Sequence, residues 1–303
     1  MSLPVVHHPA YLAPVPPGHR FPMAKYGRLM AHLLEDHVVT PAQLHSPELA
    51  PVAWLQQAHT PAYVDAALGL ELDPAAARRI GLPITADVVR RSRAAAAGTV
   101  LTARLALQHG LACNTAGGSH HAFADRGAGF CIFNDVAIAA AVLLDEGRIE
   151  RALMVDLDVH QGDGTAAIFA GDGRVHTFSM HCAINFPLHK QTSDLDVALD
   201  AGLEDDAYLA LLSDRLPGLL AEVRPDLVFF NAGVDPHVGD RLGRLALTEH
   251  GLWRREQLVL RTCLGAGVPV AGVIGGGYAP DLDRLVRLHA VLHRVASELF
   301  WRL

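Results

Sequence analysis

Apolar positions along the 303-residue chain fall into two kinds of run. Five runs are short, continuous and closed by glycine or polar residues: LACNTAGG from 111, ALMVDLD from 152, RVHTFSMH from 174, DLVFFNAGVD from 226 and VPVAGVIGGGY from 268. A strand covered on both faces needs no polar alternation, so these read as buried strands. Between them the spacing lengthens to a helical period. Val136 to Leu144 is Ala-rich, Asp206 to Val223 repeats Leu at helical spacing, and Leu285, Leu288, Leu292, Val295 and Leu299 form one stripe. Buried strands alternating with helices predict an α/β fold with three αβα layers around a central, mostly parallel sheet. Pro4 to Pro22 reads as an irregular arm. Neither an internal repeat nor a Gly/Ser linker divides the sequence, so residues 1–303 are expected to form a single domain.

Composition narrows the function classes. An apolar fraction of 50% with 19% charged residues describes a well-filled core. The net charge of -7 argues against nucleic acid, whose phosphates need a concentrated basic surface. The doublets Arg78-Arg79 and Arg90-Arg91 read as solvated helix faces. Nine residues, Val136 to Leu144, make the longest apolar run, too short for a bilayer. The N-terminus lacks the basic start and apolar stretch of a secretory signal. Cys113, Cys131, Cys182 and Cys263 show no CxxC spacing and read as small core hydrophobes. A reduced, cytoplasmic setting without membrane insertion is expected.

In such sheets ligands gather beyond the carboxyl ends of the strands. There the stretch DLDVHQGDGT, 156–165, places Asp156, Asp158, His160 and Asp163 close together. The first three alternate, and alternate side chains on extended backbone share a face. Carboxylates aimed together repel unless a cation lies between them. With Asp235, at the end of DLVFFNAGVD, Asp158 and His160 offer three ligands and leave a fourth position open, as in catalytic zinc sites. The same donors accept Fe(II). Two carboxylates already cancel a dication's charge, so such a site calls for a separate base. His120 and His121, in GGSHHA, supply candidates. Adjacent side chains on extended backbone diverge, so the two imidazoles are expected to do different work. Asp156 and Asp163 are left as one carboxylate for each, fixing tautomer and raising basicity. Tyr278, closing VIGGGY, can donate to a developing oxyanion. Together these groups describe hydrolysis of an acyl derivative.

Plainer uses exist for each group: turn or cap formation for the aspartates, structural roles for the histidine pair, a core position for Tyr278. Their coincidence at strand ends along one sheet edge favours the chemical reading. His289 and His293 have metal-pair spacing but no intervening Glu, and with Arg287 and Arg294 nearby they read as solvated. His7 and His8 lie in the arm and have no evident partner.

GGSHHA, GFCIFND (129–135), DLDVHQGDGT, NAGVD and GGGY occur in the order found in the zinc-dependent histone deacetylase family, which the sequence resembles along most of its length. HRFPMAKY (19–26), RIGLP (79–83), GDRLGRLALT (239–248) and Gln161, where other classes often carry a second His, are similar to class IV. The resemblance implies the arginase/deacetylase fold and zinc on Asp158, His160 and Asp235. It further implies His121 as general base and acid supported by Asp163, His120 with Asp156 as electrostatic partner, and Tyr278 as carbonyl polariser. Gly129, Phe130, Phe186 and Gly277 match the substrate tunnel. A potassium ion is implied at Asp156 with backbone oxygens around Asp158, His160, Ser179 and Met180. The expected substrate is an acyl-lysine protein or peptide. Rivals are an acetylpolyamine or other small acylated amine, a long-chain fatty-acyl-lysine and, outside catalysis, a silent acyl-lysine reader. Arginase chemistry is disfavoured, since its two-metal site needs further carboxylate and histidine ligands.

Overall fold

The structure, a computed structural model, describes residues 2–301. All five strand-like runs are strands, and three more join them. In chain order they are β1 (Val5–Val6), β2 (Leu44–His45), β3 (Leu111–Asn114), β4 (Ala152–Asp156), β5 (Val175–Cys182), β6 (Leu195–Leu199), β7 (Leu227–Asn231) and β8 (Val270–Val273). They form one sheet in the order β2-β1-β3-β8-β7-β4-β5-β6, and every pairing is parallel. Parallel neighbours require crossovers, and helices supply them. These are α1 (Lys25–Glu35), α2 (Val52–Leu55), α3 (Pro61–Leu68), α4 (Pro74–Ile80), α5 (Ala86–His109), α6 (Asp135–Asp145), α7 (Asp163–Ile168), α8 (Asp205–Val223), α9 (Glu249–Gly265) and α10 (Leu282–Phe300). The result is a three-layer α/β fold whose four adjacent strands β3, β8, β7 and β4 point their carboxyl ends at one place.

Several expectations need correction. The arm from Pro4 to Pro22 contains β1, inserted between β2 and β3, with Val5 and Val6 fully buried. His7 is not without a partner: its Nδ1 lies 2.7 Å from the Thr115 hydroxyl, and its ring meets Tyr11 edge-on. His289 and His293 are not solvated. They share the core face of α10 with the leucine stripe, at 1% and 0% exposure, and burial keeps both rings neutral. Arg91 is likewise buried, its guanidinium over the Phe21 and Tyr26 rings, while Arg78, Arg79 and Arg90 are exposed as expected. All four cysteines are free and buried.

Buried His59 joins two segments that flank the site. Its Nδ1 donates to the Phe123 carbonyl at 2.8 Å, and Nε2 accepts from the Asn134 amide at 2.9 Å. Both bonds hold only for the neutral ring. Burial pushes its pKa down from 6.5 to about 4. The unfolded chain therefore takes up this proton first as pH falls. The contribution is complete above pH 6.5 and is lost toward pH 4, by roughly 3 kcal/mol. Urea denaturation at neutral and acid pH should show His59→Gln losing less stability on acidification than the wild type. Equal losses would assign the effect elsewhere.

Candidate metal centre and active site

β4 stops at Asp156, and the next residues turn on their own side chains. Asp156 Oδ1 accepts from the Asp158 amide at 3.2 Å, and Asp158 Oδ1 accepts from the His160 amide at 3.0 Å. These Asx bends keep the alternating side chains converging after the strand ends. From the end of β7, Asp235 completes the group. Ligand-capable atoms of Asp158, His160 and Asp235 lie within 4.8 Å of one another, all buried; among the described residues no other such cluster of three is found.

The donor set has the form of a cation site. Backbone amides hold both carboxylates: Asp158 Oδ2 also accepts from the Gly276 amide at 2.7 Å, and Asp235 Oδ1 accepts from the Val159 amide at 2.9 Å. The other oxygens face His160 Nδ1, at 2.9 Å for Asp158 Oδ1 and 3.1 Å for Asp235 Oδ2. Asp235 Oδ2 is buried and lacks a hydrogen bond. Burial and the Asp158 charge push the Asp235 carboxyl up. Burial alone would lower His160, yet its hydrogen bond to Asp158 and the nearby Asp235 carboxylate raise it to about 10. A proton on this ring offsets part of the carboxylate charge, and a divalent ion would fit the same place by displacing it. Gly276 is required here, because any Cβ would strike Asp235 and Asp158.

Arg255, on α9, fixes the loops that carry these ligands. The side chain is fully buried, pairs with Glu256 through two contacts of 2.7 Å, and reaches the carbonyls of Leu157 at 3.1 Å and Gly233 at 2.8 Å. It therefore holds the residue before Asp158 and the one two before Asp235. Periodicity cannot reveal such a residue, whose partners are backbone atoms far along the chain.

His120 and His121 depart from the diverging arrangement expected of extended backbone. They occupy a turn, and the rings converge: their Nε2 atoms are 3.1 Å apart. Each keeps its own carboxylate, with His120 Nδ1 2.7 Å from Asp156 and His121 Nδ1 2.6 Å from Asp163. The environments separate the two rings. Burial would lower His120, but Asp156 and Asp158 overcome it and raise it to about 9. Burial and the charged His120 lower His121 to about 4. The two rings therefore differ in proton affinity, His120 the more basic and His121 the less, while the divergence expected of extended backbone is not seen. Asp135, in GFCIFND but given no role by sequence, secures the preceding loop by accepting from the amides of Gly118 and Ser119. Asn231 donates to Asp156 at 2.9 Å.

The tunnel wall comes from a tight turn. Ala128 and Cys131 exchange both backbone hydrogen bonds, and the two residues between them, Gly129 and Phe130, have φ of +53° and +67°. Gly129 suits that conformation and leaves room for the His121 ring, which a Cβ would strike. Phe130 lies 5.7 Å from the Tyr278 ring, and Phe186 meets His121 edge-on at 4.8 Å. These groups and His160 line a cavity of about 320 Å³. Behind it, bounded by Tyr26, Arg91 and His120, lies a space of about 20 Å³. Tyr278 is positioned through its amide, which donates to Asp240 at 2.6 Å. Burial and the charges of Asp158 and Asp235 raise its phenol well above the ordinary value, so it keeps its proton. Gly277 packs behind, against Val234 and His289, where a Cβ would clash, and does not line this cavity.

The remaining residues predicted from sequence fall nearby. Ser179 sits opposite Asp156 in the β4–β5 register, with buried Met180 next to it. Gln161 points away from the Asp158, His160 and Asp235 cluster in its bonding: it donates to the Gln191 carbonyl at 2.7 Å and the Asp196 carboxylate at 2.8 Å, and accepts from the Gln191 amide at 2.8 Å.

Comparison with known proteins points to one family. The sequence profile described as the histone deacetylase domain matches residues 19–292. An uncharacterized protein of Picosynechococcus sp. is 58% identical over 99% of this chain and 100% of its own length. Histone deacetylase 2 of Arabidopsis thaliana is 30% identical, over 88% of this chain and 72% of its own. The crystal structure of the HDA15 HD domain superposes with a TM-score of 0.79 at 23% identity, covering 98% of this chain and 88% of that one.

Proposed function

This chain belongs to the histone deacetylase family, and on that premise we propose that it is a metal-dependent amidohydrolase removing a short acyl group from a lysine side chain. The observation that carries the reading is the convergence at one tunnel end of three cation donors, two facing imidazoles each on its own carboxylate, and a phenol. A reader of acyl-lysine has no use for an oxyanion donor beside a base.

Asp158, His160 and Asp235 would hold the metal, zinc or Fe(II), which supplies Lewis-acid polarisation of the carbonyl and of water. Tyr278 donates its O–H to the acyl oxygen and strengthens that bond as charge develops there. His121 accepts a proton from water at Nε2 as water attacks the carbonyl carbon, then returns it to the leaving amine. Asp163 keeps His121 in the tautomer with Nδ1 protonated. His120, charged and held by Asp156, stabilises the negative intermediate. The aromatic wall of Phe130 and Phe186 takes the lysine methylenes by apolar contact. Asp156, Ser179 and Met180, with backbone near Asp158 and His160, would seat a potassium ion. The class IV-like features and a cytoplasmic setting belong to the same proposal.

The 20 Å³ space behind the reacting centre holds about one water-sized group, which favours acetyl over a long chain. Deacylation kinetics on acetyl-, butyryl- and myristoyl-lysine peptides, with metal content measured on the same sample, test this. Acetyl-lysine is expected to lead. Faster turnover of myristoyl-lysine would overturn the chain-length assignment, and no turnover by metal-loaded protein would overturn the reaction.

A further inference from the structure

The outer end of the tunnel is lined by Arg20, Arg78 and Arg79, and no Asp or Glu shares that lining. The three come from two segments far apart in sequence, and each segment is fastened to the tunnel wall. His19 and Phe21, on either side of Arg20, place their rings 6.3 Å and 5.3 Å from Phe130. The Arg79 carbonyl accepts from the Gly129 amide at 3.2 Å, and the Ile80 carbonyl from Phe130 at 2.7 Å. Arg79 Nε donates to the Gly127 carbonyl at 3.3 Å. Gly81, at φ +74°, ends α4 where a Cβ would press on the Phe130 ring at 3.2 Å.

All three side chains are exposed, and among the described residues none pairs with a carboxylate. Arg78 and Arg79 stand in the last turn of α4, where a cation is favoured by the helix end. That account does not reach Arg20, which belongs to no helix. A chain of net charge -7 that gathers guanidinium groups at its tunnel mouth presents a local field opposite to its overall charge.

We propose that this collar reads carboxylate beside the acylated amine. The favoured substrate is an acyl-lysine with anionic surroundings, either flanking Asp or Glu in a peptide or the α-carboxylate of the free amino acid. Acylated polyamines are disfavoured, because their remaining ammonium groups meet like charge. The inference rests on the deacylase reading above. Guanidinium matches carboxylate in a fork geometry. One exposed pair changes affinity about two- to fivefold, and three acting together about tenfold or more.

The test compares metal-loaded wild type with the triple variant Arg20→Gln, Arg78→Gln, Arg79→Gln. Substrates are acetyl-lysine peptides flanked by Asp, Asn or Lys, free Nε-acetyl-lysine and its methyl ester, and N-acetylspermidine. In the wild type, kcat/KM for the Asp peptide should exceed that for the Lys peptide about tenfold, through KM, with the ratio shrinking in high salt. In the triple variant the ratio should approach one. The free amino acid outpacing its ester would make the α-carboxylate the group read, and the reverse would place recognition on flanking residues. A wild-type ratio at or below one, a ratio that survives the triple substitution, or N-acetylspermidine as the best substrate overturns the collar. Absence of turnover on every substrate refutes the deacylase reading instead. The collar is then judged by fluorescence anisotropy of the same peptides, where equal affinities for Asp and Lys peptides overturn it.

Discussion

Tyr278→Phe lowers kcat about a hundred- to a thousandfold while metal content and KM stay close to wild type. The substitution removes one atom, and the ring remains to pack against Phe21 and Phe130, at 6.3 Å and 5.7 Å. Among the described residues no hydrogen bond uses the phenol, and Tyr278 is held in place through its amide. The lost group therefore acts on the acyl oxygen. A donor preorganised for a developing oxyanion is worth about 2.7–4 kcal/mol in a water-poor site, whereas a bond to the neutral carbonyl is worth far less. The loss accordingly falls on kcat rather than on KM. Because burial and the two aspartates hold the phenol protonated well above its ordinary range, the wild-type rate should not decline through this residue up to pH 9. Steady-state kinetics with metal analysis decide the matter: unchanged kcat removes the oxyanion role, and lost metal moves Tyr278 into the structural frame.

The parts of the design that sequence displays are those with a local cause. Both-face burial makes β3, β4, β5, β7 and β8 continuous apolar runs, and their closing polar residues mark the sheet edge where the site lies. β1 and β2, two residues each, are too short to leave a period, and edge strand β6 is only partly buried, so its LDVAL pattern is ambiguous. The cluster of Asp158, His160 and Asp235 was legible because carboxylates gathered at one strand end need a compensating positive charge. Arg255, Asp135 and Asn231 were not, because what they bind is backbone or a carboxylate brought near only by the fold. His289 and His293 show the converse error. Histidine is polar on average, but on a face already filled by Leu285, Leu288 and Leu292 it is core, and its ring stays neutral. The converging His120 and His121 fall in the same class: a turn, not a strand, decides where adjacent side chains point.

Asp158→Ala should abolish metal binding and with it turnover. Asp158 is 1% exposed, and its carboxylate holds His160 through one oxygen and the Gly276 amide through the other. Removing it leaves a carboxylate and an imidazole, which a dication binds weakly from buried ground, and it frees the Gly276 loop that leads to Tyr278. The folded state without metal should respond differently. In the wild type burial, the Asp158 charge and the Asp240 charge all push Asp235 up, so without metal the Asp158 and Asp235 carboxylates still repel. Deleting one member relieves that repulsion and offsets part of the hydrogen bonding lost. A bound ion at a thousand times its Kd adds about 4 kcal/mol to folding stability, which chelation takes away. Thermal melts with and without chelator should therefore show a drop of several degrees in wild type and none in Asp158→Ala, whose melting point lies near that of the chelated wild type. A variant that still loses stability on chelation would place the ion on other residues, and the whole arrangement of base and phenol around it would need another centre.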